Sequence, residues 1–151
     1  MVRSSSSRAR GHALRLHVVG SAAPAYRSYV GRVRRAAATR EWATVETDVP
    51  RARLEELLTT CRSGLNPKPD EHVGMTVAEY VASGMVPFAP DSGGQVDVLG
   101  GDDDLLFGSL RAAAENVIDA VESGRRPSLP RDRVGRERFH DALRGYVAGV
   151  T

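Results

Sequence analysis

The amino-acid sequence predicts an α/β protein in which a parallel sheet is flanked by helices. Short segments with alternating apolar residues are followed, in turn along the chain, by longer segments whose apolar residues recur at helical spacing. Parallel strands need long crossover connections, and helices of this length supply them. At 151 residues, with 41% apolar and 26% charged residues, the chain has the size and composition of one compact globular domain.

The first forty residues are rich in Arg and Ser but contain neither Asp nor Glu. This composition is also typical of a transit peptide, which is an alternative interpretation. A secretory signal is disfavoured because Arg15 and His17 interrupt the apolar stretch "ALRLHVVG". We therefore predict a flexible leader over residues 1–12 and a folded domain over residues 13–151, which begins with a strand in "ALRLHVVGS".

Helix and strand patterns alternate through the first half of this domain. The segment "AYRSYVGRVRRAAATR" has helical periodicity, and its apolar and aromatic positions are Tyr26, Tyr29, Val30 and Val33. The next segment, "WATVETDV", alternates like a strand. Asp48 and Pro50 then provide the start signals of a helix in "RARLEELLTTC".

The second half continues the alternation. "SGLNPKP" is a short strand that enters a proline-rich loop, residues 71–79 change from loop to helix, and Gly84 ends that helix. "MVPFAP" is the next strand, and "DSGGQ" is a glycine-rich turn. Two further helices are predicted from apolar positions at Leu110, Ala114, Val117, Ile118 and Val121, and at Phe139, Leu143, Tyr146, Val147 and Val150. We expect one parallel sheet from the strands that begin near Leu14, Ala43, Gly64 and Met85.

Composition excludes several classes of function. Cys61 is the only cysteine, so the chain holds neither an internal disulfide nor a cysteine zinc cluster, and we expect a cytoplasmic protein, free or peripheral to a membrane. No apolar run is long enough to span a bilayer. The net charge of +2 is not gathered into an aromatic-studded basic face or a nucleic-acid motif, so no nucleic-acid partner is expected. The acidic residues 102–104 are interpreted as a solvated loop rather than a metal site.

The stretch "EHVGMTVAE" carries the clearest chemical signal. Ligands of doubly wound sheets bind where loops lead from strand ends into helices. Gly74 lets a ligand approach the backbone, and the free N–H groups of Met75 and Thr76 favour a phosphate or sugar hydroxyl. Helical spacing sets Glu79 on a polar face, opposite the apolar contact. The alternative is that this polar face meets only water, with Glu71 an ordinary loop acid. Sequence spacing alone does not give the carboxylate separation that an acid–base pair would need.

The run "EHVGMTVAEYVASGMVPFAPDSGGQVDVL" resembles the donor-binding half of the retaining GT-B glycosyltransferases, particularly family 4. It has two glutamates with seven intervening residues, a glycine after the first glutamate, and a helix that ends at Gly84. Pro87 in the following strand and the turn at Gly93 and Gly94 extend the resemblance. Weaker similarity continues upstream through "LRLHVVGS" and "DVPRARLEELLTTCRSGLNPKP". The fold implied is a Rossmann-like sheet, the C-terminal half of a GT-B fold without its opening strand.

The resemblance implies transfer of a sugar from a nucleotide-sugar donor with retention of anomeric configuration. It implies no obligatory metal and no cofactor other than the donor substrate. By this resemblance, Glu71 holds donor-sugar hydroxyls and Glu79 binds the ribose. The backbone positions implied for the sugar and diphosphate are Val73, Gly74 and Met75, with Thr76 close to the phosphates. The glycine turn at Gly93 and Gly94 matches the family, whereas Asp97 stands where a glutamate is common.

Members of that family also have a lobe that binds the acceptor, and basic residues that clamp the phosphates. Nothing before Leu14 resembles either, and Lys68 is interpreted as a solvated loop charge. We therefore expect the donor domain of a truncated or split enzyme, with a separate acceptor-binding lobe as partner. The alternative is a non-catalytic nucleotide-sugar-binding or interaction module of the same fold. The absent opening strand would leave a sheet edge exposed, which favours a homodimer.

Overall fold

The structure is a computed structural model that describes residues 14–125. The predicted leader over residues 1–12 and the predicted last helix around Tyr146 lie outside the described residues. The chain divides into two compact units, Met1–Glu55 and Glu56–Thr151. Their described parts are the first unit, residues 14–55, and the second unit, residues 56–125.

The first unit contains one parallel strand pair and the helix that connects the strands. Its elements are β1 (Leu16–Gly20), a 3₁₀ turn (Pro24–Tyr26), α1 (Arg27–Ala38), β2 (Ala43–Thr47) and the start of α2 (Arg51–Thr60). Leu16 lies opposite Ala43, and Gly20 lies opposite Thr47. Arg34 Nη2 donates to Thr47 Oγ1 at 2.7 Å and so ties α1 to β2. No residue described in this unit is fully buried.

A cluster of charged and polar side chains around Glu46 joins three elements of the first unit. Glu46 on β2 accepts from Arg53 Nε and Nη2, both at 2.9 Å, and contacts His17 Nδ1 on β1 at 3.1 Å. Hydrogen bonds from Arg53 first, and then from His17, lower the pKa of Glu46 to about 2. The cluster therefore ties the start of α2 to both strands.

Helix α1 differs from the sequence prediction in its charge pattern. The prediction that positive charge is not gathered beside aromatic residues is wrong here, because Arg27, Arg32 and Arg35 are exposed on this helix. Tyr29 is also exposed, and Arg32 Cζ lies 5.7 Å from the centre of its ring. The near-neutral charge of the whole chain hides this local basic surface, because the acids all follow residue 40.

The second unit contains a three-stranded parallel sheet with helices between the strands. After α2 come β3 (Ser63–Leu65), α3 (Met75–Ser83), β4 (Val86–Pro90), α4 (Gly94–Leu99), β5 (Leu106–Phe107) and α5 (Leu110–Glu122). The strand order is β3-β4-β5, with Gly64 opposite Pro87 and Ala89 opposite Leu106. Strand β4 is therefore the centre of this sheet.

The hydrophobic core of the second unit forms around β4. All five residues of this strand are buried, because strands flank both of its edges and α3, α4 and α5 contact it. A strand in this position is apolar along its whole length instead of alternating. The residues of the core cluster are Val77, Val81, Val86, Phe88, Ala89, Leu99, Leu105, Leu106, Phe107, Ala113 and Ala120.

Local signals define the ends of the helices in the second unit. Gly84 ends α3 with φ of 80°, as predicted, and its N–H bonds the Val81 carbonyl at 3.1 Å. Ser109 begins α5 by accepting a hydrogen bond from Ala112 N at 3.1 Å. Asn116 Nδ2 then donates to the Leu106 carbonyl at 3.0 Å, which joins α5 to β5.

The predicted α/β class, the parallel pairing and the flanking helices are confirmed. The described strands form two hydrogen-bonded sheets, β1-β2 and β3-β4-β5, where the sequence predicted one. A parallel sheet continues only between strands that share a hydrogen-bonding edge, and among the described strands β1 pairs with β2 alone and β3 with β4 alone. Within residues 14–125, no helix combines the length and the apolar character needed to cross a bilayer.

Candidate functional site

The predicted site residues lie on two loops and one helix of the second unit. We call residues 66–74, which follow β3, the glutamate loop, and residues 91–94, which follow β4, the glycine turn. Because β3 and β4 are parallel neighbours, both loops leave the sheet at the same edge. Helix α3 begins directly after the glutamate loop, as the sequence predicts.

The glycine turn packs directly on the backbone of the glutamate loop. Gly94 N donates to the Glu71 carbonyl at 2.8 Å, and Asp70 N donates to Ser92 Oγ at 3.0 Å. A Cβ added to Gly94 would lie 2.3 Å from the His72 carbonyl oxygen, and one added to Gly93 would lie 2.5 Å from that of Glu71. Both positions therefore require glycine, and the turn holds the backbone of Glu71 in place.

Gly74 begins α3 in a left-handed conformation, with φ of 70°. The residue is buried, and a Cβ there would lie 2.9 Å from the Cα of Gln95. The close approach that Gly74 permits is thus to α4. Val73 and Met75 on either side are exposed by 66% and 69%. A ligand at this rim would therefore meet the loop through these exposed neighbours.

The buried side-chain amides of Asn66 and Gln95, which the sequence analysis did not identify, hold the glutamate loop by hydrogen bonds. Gln95 is completely buried, and its Oε1 accepts from Asn66 Nδ2 at 3.1 Å. Gln95 Nε2 donates to the Lys68 carbonyl at 3.1 Å, while Lys68 N donates to Asn66 Oδ1 at 3.4 Å. Buried amides are stable only when bonded in this way. The sequence features that could have indicated this pair were an Asn at a strand end and a Gln directly after a Gly-Gly pair.

Glu71 carries its charge beside a cation. Lys68 Nζ lies 3.0 Å from Glu71 Oε2, and the lysine side chain is 67% exposed whereas the glutamate is 28% exposed. The interpretation of Lys68 as a solvated loop charge is therefore incomplete, because it forms an ion pair with the first of the two glutamates. The pair presents a carboxylate that accepts hydroxyl hydrogen bonds and an ammonium group that attracts anions.

Helix α3 separates an apolar face from a polar one, as predicted. Val77 and Val81 are buried, Thr76 is exposed, and Glu79 is half-buried. The first intrahelical bond of α3 runs from Ala78 N to the Gly74 carbonyl at 2.9 Å. Because the N-cap residue Gly74 has no side chain, the first turn has no side-chain cap. The amides of that turn are the groups that a helix N-terminus offers to an anion.

Tyr80 anchors α3 against β3. A Cβ added to Gly64 would lie 2.5 Å from Tyr80 Cδ2, so the glycine leaves room for the ring. Burial raises the pKa of the Tyr80 hydroxyl, and the charge of the adjacent Glu79 raises it further. This packing fixes the rotation of α3 and hence the position of Glu79 one turn beyond the rim.

Two further acids of the second unit form ion pairs with an arginine. The acidic loop binds Arg125, whose Nη2 lies 2.9 Å from Asp102 Oδ2 and whose Nη1 lies 2.5 Å from Asp104 Oδ2. Asp97 is exposed in the first turn of α4. Within residues 14–125, no three His, Cys, Asp or Glu side chains cluster as a metal site would require.

Comparison with known proteins assigns the chain to no family, since no family model matches it and no curated protein matches it. A proposal for its function is therefore based on the geometry of the second unit together with the sequence resemblance.

Proposed function

We propose that this chain is the nucleotide-sugar-binding domain of a retaining glycosyltransferase of the GT-B type. One observation carries the proposal. A glutamate paired with a lysine lies on a loop that the glycine turn holds by backbone contacts, directly before a helix whose first turn lacks a side-chain cap. The second glutamate follows one helical turn beyond that N-terminus. The motif that resembles family 4 covers this same arrangement.

The groups at the rim suit the parts of a nucleotide sugar. The uncapped amides of α3 would donate hydrogen bonds to the diphosphate, because a helix N-terminus favours anions. Glu71 would accept hydrogen bonds from sugar hydroxyls, and Lys68 would offset its repulsion of the diphosphate. Glu79 would bind the two ribose hydroxyls. The exposed side chains of Val73 and Met75 would provide apolar contact beside the sugar.

In the proposed reaction, the bond from the anomeric carbon to the diphosphate breaks, a bond to the acceptor oxygen forms with the same configuration, and the acceptor's hydroxyl proton passes to the leaving diphosphate. The leaving diphosphate gains negative charge, which the α3 N-terminus and Lys68 would stabilise. A facing lobe would bring the acceptor and exclude water. That lobe is proposed as a partner, either within a longer chain or as a separate protein.

Saturation-transfer NMR on the full chain tests the donor proposal. The ligands are sugar diphosphates of uridine, guanosine and adenosine, each compared with the corresponding nucleoside diphosphate. We expect at least one nucleotide sugar to show saturation of both its ribose and its sugar protons. The Glu115→Gln variant, altered on an exposed face of α5, is a matched control and should bind equally. Absence of saturation for every donor would contradict the proposal.

A further inference from the structure

Helix α1 in the first unit presents a basic surface that the proposed transferase site does not use. Six arginines and no carboxylate occur between Leu14 and Arg40. Arg27, Arg32 and Arg35 are exposed on α1, and Tyr26 and Tyr29 are exposed by 63% and 57%. We call these five residues the basic face.

The arginines of the basic face have no carboxylate partner within residues 14–125. Three further arginines lie in this region. Arg34 contacts Thr47 Oγ1 and Arg40 contacts the Ala36 carbonyl, whereas Arg15, before β1, has no carboxylate partner within residues 14–125. In the second unit, by contrast, every described Arg or Lys binds a carboxylate or a carbonyl. The arginines without a carboxylate partner within residues 14–125 therefore lie in the first unit, most of them on α1.

This charge is unfavourable for the helix itself. Arg27 occupies the first helical position, where the macrodipole favours an acid, and the first turn contains none. Arg32 and Arg35 are three residues apart, so their like charges repel on one helix face. A local arrangement that weakens its own element without an internal compensation is typical of a functional surface.

The geometry points to an anionic membrane surface as the partner of the basic face, and we propose that α1 docks there. The guanidinium groups complement lipid phosphates, and tyrosines are favoured at headgroup depth because their rings are apolar and their hydroxyls are polar. Val30 and Val33 are half-buried, so the helix would adsorb through its exposed residues rather than insert.

A membrane fits better than a nucleic acid. Residues 14–55 contain no Lys, Asn or Gln, so arginine is the only residue type present among those that form bidentate pairs with guanine or adenine in the major groove. The two exposed tyrosines lie within one turn of the α1 N-terminus, beside Arg27 instead of between successive basic residues. This grouping matches an interfacial anchor next to a basic patch.

Vesicle flotation of the full chain tests this docking. The probes are vesicles of phosphatidylcholine alone and of phosphatidylcholine with added phosphatidylglycerol, at low and high salt. We expect binding only to the anionic vesicles, with loss at high salt because the attraction is screened. The Arg32→Gln/Arg35→Gln variant should bind them about 30-fold more weakly, from about 1 kcal/mol per basic residue.

Two further variants distinguish the effect of the basic face on vesicle binding from the effects of net charge and of helix stability. Arg51→Gln/Arg111→Gln removes the same charge from exposed ion pairs on α2 and α5, and it should retain binding. Ser28→Glu places an acid in the first turn of α1, so it should stabilise the helix while it weakens vesicle binding.

Three results would overturn the proposal. The first is equal binding to neutral and anionic vesicles, or to neither. The second is equal loss of binding in the α1 variant and in the Arg51→Gln/Arg111→Gln control. The third is tighter binding of a DNA or RNA duplex than of anionic vesicles, with loss in the α1 variant, which would identify a nucleic-acid surface instead.

Discussion

The first and second units of this chain use similar elements but differ in how their charges and apolar residues are satisfied. Among the described residues, every fully buried hydrophobic side chain belongs to the second unit, and most of them pack around β4. There the basic residues are bonded, and glycines bring loop backbones into contact. The first unit has no fully buried residue, and α1 exposes unpaired arginines. The comparison teaches that the second unit is built to hold a rim in place, whereas the first presents a charged surface.

The sequences of one strand from each unit, β4 and β2, explain why the two units differ in burial. Strand β4, "VPFAP", is apolar throughout and is covered on both faces and both edges. Strand β2, "ATVET", alternates polar and apolar residues, and its Glu46 forms an ion-pair cluster with neighbouring elements. Burial therefore drives the packing of one unit, whereas paired polar groups organise the strands of the other.

The largest effect is expected from adding a methyl group between the two loops of the second unit. In Gly94→Ala the new Cβ would approach the His72 carbonyl oxygen to 2.3 Å, and backbone cannot move aside as a flexible side chain can. We expect a loss of about 3 kcal/mol in the free energy of unfolding, measured by urea denaturation. Gly108→Ala is the matched control, because nothing lies within 4 Å of its added Cβ. Equal stability of the two variants would show that the loops are not in contact.

The sequence allowed prediction of features that depend on local spacing. The apolar face of α3 with Val77 and Val81, and its end at Gly84, follow from periodicity and from one αL position. Contacts between distant residues could not be predicted in this way. Asn66 and Gln95 are separated by 29 positions, and only the fold brings their amides together.

Short elements and local charge patterns also could not be predicted from the sequence. Strand β5 has two residues and α4 has six, which is too short for any periodic signal. The tyrosines of α1 have helical spacing with Val30 and Val33, yet only the valines are half-buried. Spacing shows which residues share a helix face, but it does not show how much of that face the neighbouring strand pair covers.

A smaller effect is expected from the buried amides that support the glutamate loop. Gln95→Met removes the acceptor of Asn66 Nδ2 and the donor to the Lys68 carbonyl, and leaves the buried Asn66 amide without that partner. We expect the free energy of unfolding to fall by about 2 kcal/mol.

Adding Asn66→Leu to this variant replaces both amides by apolar groups, so it should recover part of the loss. A double-mutant cycle by urea denaturation measures the coupling between the two residues. Strictly additive losses would contradict a shared hydrogen-bond network.

The proposed donor site predicts a difference in kind between its two glutamates. Glu79→Ala should weaken binding of the nucleotide sugar and of the nucleoside diphosphate alike, by about 1.5 kcal/mol for lost charge-assisted bonds to ribose. Glu71→Ala should weaken mainly the sugar-bearing ligand, since its proposed partners are sugar hydroxyls.

Calorimetry on both variants with both ligands measures this difference, and Glu115→Gln is the control. Equal losses for the two ligands in Glu71→Ala would remove its proposed role in sugar binding.

The smallest effect is expected in the first unit, where the Glu46 cluster is partly exposed to solvent. The Glu46 pKa of about 2 lies below the ordinary value of 4.5 for this carboxyl group, so the cluster stabilises the folded state above pH 4.5. That contribution is lost as the pH falls from 4.5 through 2, because protonated Glu46 no longer accepts from Arg53 as a carboxylate. Carbon-detected NMR titration of the Glu46 carboxyl should give the low pKa directly. Arg53→Gln should raise it towards 4.5 more than His17→Gln does, because Arg53 makes the larger contribution. A Glu46 pKa that changes equally in both variants would contradict this order, and an unchanged pKa in both would show that the cluster does not form in solution.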